Sequence, residues 1–104
     1  MKDEIKKEDL CCSLNPDEFK ERKILLEKLK RLITGKSEIE KGFMFTFDGS
    51  ADTLEEVIRI VKMERKCCPF LTFDFSIQKE DAPMFLKITG PDGIKDFLLE
   101  ELGL

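Results

Sequence analysis

Two pairs of adjacent cysteines, Cys11-Cys12 and Cys67-Cys68, are the chemically distinctive residues of this chain, which contains no histidine, tyrosine or tryptophan. Without histidine, the usual proton shuttle and the commonest metal ligand are both missing. Sulfur remains, and its chemistry is that of the thiolate: soft-metal capture, disulfide exchange or nucleophilic attack. The second pair lies in Glu64-Arg65-Lys66-Cys67-Cys68-Pro69-Phe70. Pro69 disfavours helical geometry at Cys68, so a helix running into this stretch must end at about Cys67. Neighbours inside a regular helix diverge by about 100°, whereas a pair at a helix exit can turn towards a common point.

The spacing matches no zinc knuckle, because neither C-x₂-C nor a Cys…His series occurs. Three converging thiolates would suit thiophilic ions such as Cu(I), mercury, cadmium or arsenite, and zinc with four Cys, or with three Cys and Glu64, is a further arrangement. A buried cysteine that only packs is the commonest fate of an isolated one. Two adjacent pairs weaken that account. Glu64-Arg65 reads as a solvated helix face, with Arg65 as a conceivable support for a thiolate. Lys62, Arg65 and Lys66 would oppose the rise in thiol pKa that the C-terminal end of a helix produces.

The elements that must position these sulfurs follow from local signals. Asn15-Pro16-Asp17-Glu18 is a helix start, and Phe19, Leu25, Leu26, Leu29, Leu32 and Ile33 carry the apolar face of a first helix over about residues 16–33. Gly35 would stop it, and Lys36-Ser37-Glu38 reads as a polar link. Phe43, Phe45 and Phe47 then lie on one side of a strand. Asp52 or Thr53 opens a second helix with an apolar face of Leu54, Val57, Ile58 and Val61. Leu71, Phe73, Phe75 and Ile77 alternate in a second strand, and Met84, Leu86 and Ile88 form a third, joined to it as a hairpin through residues 79–83. Gly90-Pro91-Asp92-Gly93 turns into a last helix with Ile94, Phe97, Leu98 and Leu102 inside. The expected fold class is α+β, in the order α-β-α-β-β-α, with helices on a small three-stranded sheet. Inserting the third strand between the first two would make it a truncated ferredoxin-like split βαβ.

At 104 residues, 41% hydrophobic and 38% charged, the chain suits one globular domain over residues 10–104 behind a frayed, charged segment at 1–9. A domain of this size folds without covalent staples. The net charge of −4, with no isolated basic block, argues against nucleic acid. No stretch approaches the ~18 apolar residues of a membrane span, and no signal peptide is evident, so a cytoplasmic location is expected. A reducing compartment favours metal or redox work over a stable disulfide, although abundant Glu, Lys and Ile would also suit a thermophile, where intracellular disulfides persist.

The stretch Glu64-Arg65-Lys66-Cys67-Cys68-Pro69-Phe70-Leu71 resembles a family of small prokaryotic proteins that share E-R-x-C-C-P-F-L. Cys12-Ser13-Leu14, the strand Gly42-Phe43-x-Phe45-x-Phe47 and the tail Gly90-Pro91-x-Gly93-x-Lys95-x-Phe97 look like the same pattern. The resemblance covers nearly the whole domain and implies an accessory role in heavy-metal or mercury response. It singles out Cys12, Cys67 and Cys68, with Cys11 a local addition, and so implies a trigonal three-sulfur site for a thiophilic ion such as Cu(I), Zn or Hg. The leading expectation is therefore soft-metal binding for sequestration, delivery or sensing. Thiol–disulfide redox or thiol transfer, with a Cys12 link to Cys67 or Cys68, is the enzyme-class alternative. An interaction domain with packed cysteines is the third.

Overall fold

The computed structural model describes residues 16–100 and 103–104. Cys11, Cys12, the charged segment at 1–9, the side chain of Phe19 and Leu102 lie outside the described residues, and with them the expectations placed there. The elements are α1 (Pro16–Leu32), β1 (Ile33–Ile39), β2 (Gly42–Gly49), α2 (Ala51–Cys67), β3 (Thr72–Ser76), β4 (Asp81–Thr89) and α3 (Ile94–Glu100). The fold is α+β, but the sheet has four strands rather than three, in the order β1-β2-β4-β3, and every neighbouring pair is antiparallel.

The extra strand is β1. Its sequence, Ile-Thr-Gly-Lys-Ser-Glu-Ile, has no apolar alternation, and it replaces both the end of the expected first helix and the polar link. It hairpins onto β2 through Glu40-Lys41, where Lys41 takes a positive φ of 62°. Its side chains opposite the core phenylalanines are polar, with Lys36 facing Phe45 and Glu38 facing Phe43. They find local partners. The Lys36 ammonium lies 4.5 Å above the Phe43 ring and donates to the Leu104 carbonyl at 2.8 Å, while Lys95 meets Glu38 at 2.6 Å. An edge strand can carry such charges because one side of it faces water. This added edge departs from the truncated ferredoxin-like expectation.

β4 lies between β2 and β3, the insertion that the split βαβ arrangement called for. β2 and β3 each run antiparallel to β4, hence parallel to one another, with α2 as the crossover between them. Register places Phe43, Phe45 and Phe47 opposite Ile88, Leu86 and Met84, and Phe73 and Phe75 opposite Ile88 and Leu86. Period two thus gathers the large apolar groups on one face. That face is covered by Leu25, Leu26 and Leu29 of α1, Val57 and Ile60 of α2, and Ile94, Phe97 and Leu98 of α3. Gly42 must be glycine because its backbone lies against β4: a Cβ there would sit 1.9 Å from the Ile88 carbonyl oxygen. Pro83 is tolerated in β4 because it lies beyond the end of β3 and beside the register shift between Phe47 and Gly49.

α2 starts at Ala51, one residue before Asp52 and two before Thr53, the expected openings. Ser50 is its N-cap, accepting a hydrogen bond from the Thr53 amide at 3.2 Å, and Asp48 braces the turn by accepting from the Ser50 amide and the Thr53 hydroxyl. The buried side of α2 is also rotated from the expected face. Thr53, Val57, Ile60, Glu64 and Cys67 are buried, Leu54 and Val61 are half-buried, and Ile58 is 41% exposed. The burial stripe follows 3- and 4-residue steps and carries Glu64 into the interior between Ile60 and Cys67.

Candidate functional site

α2 ends at Cys67, and Cys68 leaves the helical region with φ −124° and ψ 77°, as its position before Pro69 requires. The Cys68 amide still donates to the Glu64 carbonyl at 2.7 Å, closing the last helical turn. The Leu71 amide donates to the Cys68 carbonyl at 3.1 Å, so residues 68–71 form a turn with Pro69 at its second position. Phe70 anchors that turn edge-on against Phe97 of α3, with ring centroids 5.3 Å apart. The exit of α2 is therefore pinned by proline geometry, two backbone hydrogen bonds and an aromatic contact.

The cysteines at this exit are each only 1% exposed, yet they are in different chemical states. Cys67 is disulfide-bonded and Cys68 is a free thiol. The adjacent sulfurs are thus not joined to each other, in keeping with the strain of an eight-membered vicinal ring. The remaining cysteines of the chain, Cys11 and Cys12, lie outside the described residues.

Cys68 faces charge. Its thiol donates to Glu64 Oε1 at 3.7 Å, and Glu64, only 3% exposed, is held by Arg22 of α1. Arg22 Nε donates to Oε2 at 2.7 Å and Nη2 donates to Oε1 at 3.2 Å, a two-pronged guanidinium–carboxylate pair. Burial works against the Arg22 charge, but the hydrogen bond and attraction of Glu64 more than offset it and raise the guanidinium pKa. Burial, and then the negative charge of Glu64, push the Cys68 thiol up to about 12, with Arg22 pulling the other way. At neutral pH Cys68 is a protonated thiol, and a thiol is a poor nucleophile towards a disulfide. The site holds one closed disulfide beside one silenced sulfur.

The pairing of α1 with α2 creates this arrangement. The two helices are antiparallel neighbours, joined at one end by Lys66–Glu18 at 3.0 Å and at the other by Lys28–Glu56 at 4.0 Å. Glu64 was expected on a solvated face and is instead buried. Arg65 is exposed, as the solvated-face reading expected, and the cation beside the site is Arg22 of α1 instead. Both were visible as positions rather than types: Glu64 falls in the 57-60-64-67 stripe, and Arg22 precedes Leu25, Leu26 and Leu29 by helical intervals.

Of the three expected metal ligands, Cys67 and Cys68 lie together at the helix exit and Cys12 is outside the described residues. Among the described residues, no group of three or more Cys, Asp or Glu side chains is placed to hold a metal ion. In the structure Cys67 is committed to a disulfide and the Glu64 carboxylate to Arg22. Among the described residues no helix is long and apolar enough to cross a membrane. Comparison of the chain with protein-family models, with curated proteins and with solved structures finds no match in any of the three.

Proposed function

We propose that this is a thiol–disulfide redox protein whose working couple is the disulfide of Cys67, closed to a cysteine of the Cys11-Cys12 pair. The observation that carries the reading is the chemical asymmetry of the helix exit: Cys67 is oxidised while its neighbour Cys68 is held reduced by burial and Glu64. A third sulfur beside a disulfide is an exchange hazard when ionised, because thiolates attack disulfides and scramble their connectivity. Keeping Cys68 protonated withholds it from that exchange, so that Cys67 opens and closes without scrambling onto its neighbour. A 104-residue chain with a continuous core does not need the bond as a staple.

The test is peptide mapping without reductant, followed by native mass spectrometry of the reduced protein with Cu(I), Zn(II) or Hg(II), for the wild type and Cys12→Ser. The redox reading expects Cys67 cross-linked to the N-terminal pair, a free Cys68, and no tightly held ion after reduction. A soft-metal role through Cys12, Cys67 and Cys68 would instead show one ion per chain that weakens in Cys12→Ser. Four free, uniformly slow thiols would overturn both and leave a packing role.

A further inference from the structure

The exposed surface of α2 changes sign along its length. Asp52, Glu55 and Glu56 lie in its first half, while Arg59, Lys62, Arg65 and Lys66 occupy the last three turns. The one acid in that second half, Glu64, is buried and neutralised by Arg22. Lys66 is paired with Glu18 and Arg59 reaches Glu56 at 4.0 Å, but Lys62 and Arg65 make no ion pair among the described residues. On the neighbouring helix, the same end carries exposed Lys20 and Lys23 against exposed Asp17 and Glu21, with Glu18 meeting Lys66, and so adds no net positive charge. Lys62 and Arg65 thus leave the Cys67 end of α2 with an excess of exposed positive charge, in a chain whose net charge is −4.

The helix dipole favours bases in the last turn and so accounts for Arg65 and Lys66. Its influence falls off within that turn, and it does not account for Lys62 or Arg59. At 1.5 Å per residue, Lys62 lies about 8 Å and Arg59 about 12 Å along the axis from Cys67. These separations are comparable to the screening length of about 10 Å at 0.1 M salt. Electropositive surroundings are also what distinguish exchange-active cysteines from inert ones, since they favour both the approaching and the departing thiolate.

We infer that the basic end of α2 selects the thiols that open the Cys67 disulfide, favouring anionic ones such as carboxylate-bearing small thiols. The inference rests on the redox reading above. In the reaction, the incoming thiolate attacks one sulfur, the S–S bond breaks, and the other sulfur departs as a thiolate. A second thiolate then attacks the mixed disulfide and releases the small disulfide together with the second protein thiolate. Two electrons pass from two small thiols to the protein, and the protons those thiols lost are taken up by the two protein sulfurs. The excess positive charge raises the local concentration of the anionic reagent and lowers that of a cationic one.

The experiment is the rate at which 3-mercaptopropionate, 2-mercaptoethanol and cysteamine reduce the oxidised full-length protein. Each rate is divided by that reagent's thiolate rate with a small uncharged disulfide. At about 0.01 M salt, where screening extends over ~30 Å, the anionic thiol should exceed the cationic one by about tenfold. At about 1 M salt the ratio should collapse to below about twofold. Both substituted residues in the double variant Lys62→Glu/Arg65→Glu are exposed, so it should keep the wild-type circular dichroism spectrum and invert the order. Equal normalised rates at low salt, or an order that survives the double variant, would overturn the selection while leaving the redox reading intact. A disulfide that none of the three reagents opens would overturn both.

Discussion

Arg22 should be worth far more than its exposed neighbours, because removing it strands a buried charge. In Arg22→Met the Glu64 carboxylate, with its side chain 4% exposed, loses both guanidinium hydrogen bonds and retains only the weak donation of the Cys68 thiol. Breaking one partner of such a buried pair costs about 3–5 kcal/mol, whereas replacing both by apolar groups of similar volume is often neutral or stabilising. For a domain of this size, with a urea slope of about 1 kcal/mol/M, the single variant should lose about 3 M or more from its unfolding midpoint. The double variant Arg22→Met/Glu64→Met should recover to within about 1 kcal/mol of wild type. Urea titrations of the four proteins in the cycle, under fixed oxidising conditions, measure the coupling directly. A single variant within about 1 kcal/mol of wild type, or a double variant as unstable as the single, would refute the argument that the pair is a buried unit.

Three further outcomes follow from the same site and its scaffold. The folded chain keeps the Cys68 proton up to about pH 12, whereas the unfolded chain releases it near 9.0, so the unfolded state binds fewer protons in between and stability falls as pH rises through that window. Urea midpoints at pH 8, 9.5 and 10.5 should show this slope in wild type and a shallower one in Cys68→Ala. Glu64→Ala removes the acid that faces Cys68 and leaves Arg22 beside it, so alkylation of Cys68 should set in at lower pH than in wild type, read by mass spectrometry. Ser50→Ala removes the N-cap of α2 and should cost about 1 kcal/mol, read as a fall in Tm of about 4–8 °C.

Much of the architecture was legible because its signals are local. Phe43, Phe45 and Phe47 share a face by simple alternation, Pro69 ends α2 at Cys67, and Gly90-Pro91-Asp92-Gly93 leads into α3. β1 was missed because an edge strand needs no apolar alternation: Lys36 and Glu38 occupy its core-facing positions and are satisfied by Phe43, the Leu104 carbonyl and Lys95. The site was half legible. Adjacent cysteines before a proline point to the helix exit, but their chemical difference depends on a carboxylate and a guanidinium 42 residues apart in sequence. Glu64 stands in a charged run and reads as solvated until the burial stripe of α2 is fixed. That stripe depends on how α2 sits between α1 and the sheet, a tertiary fact that residue type alone does not encode.

The central claim, that the Cys67 disulfide is a reversible couple beside a silent Cys68, is tested most directly by equilibrating the full chain in graded dithiol–disulfide buffers. Acid quenching and differential alkylation then give the oxidation state of each cysteine. The account predicts one two-electron transition at Cys67 and its partner, at a potential above about −300 mV, with Cys68 reduced throughout. A Cys67 that stays cross-linked at more reducing potentials would mark a structural bond. A Cys67 that is never cross-linked, or a Cys68 that exchanges with it, would contradict the account.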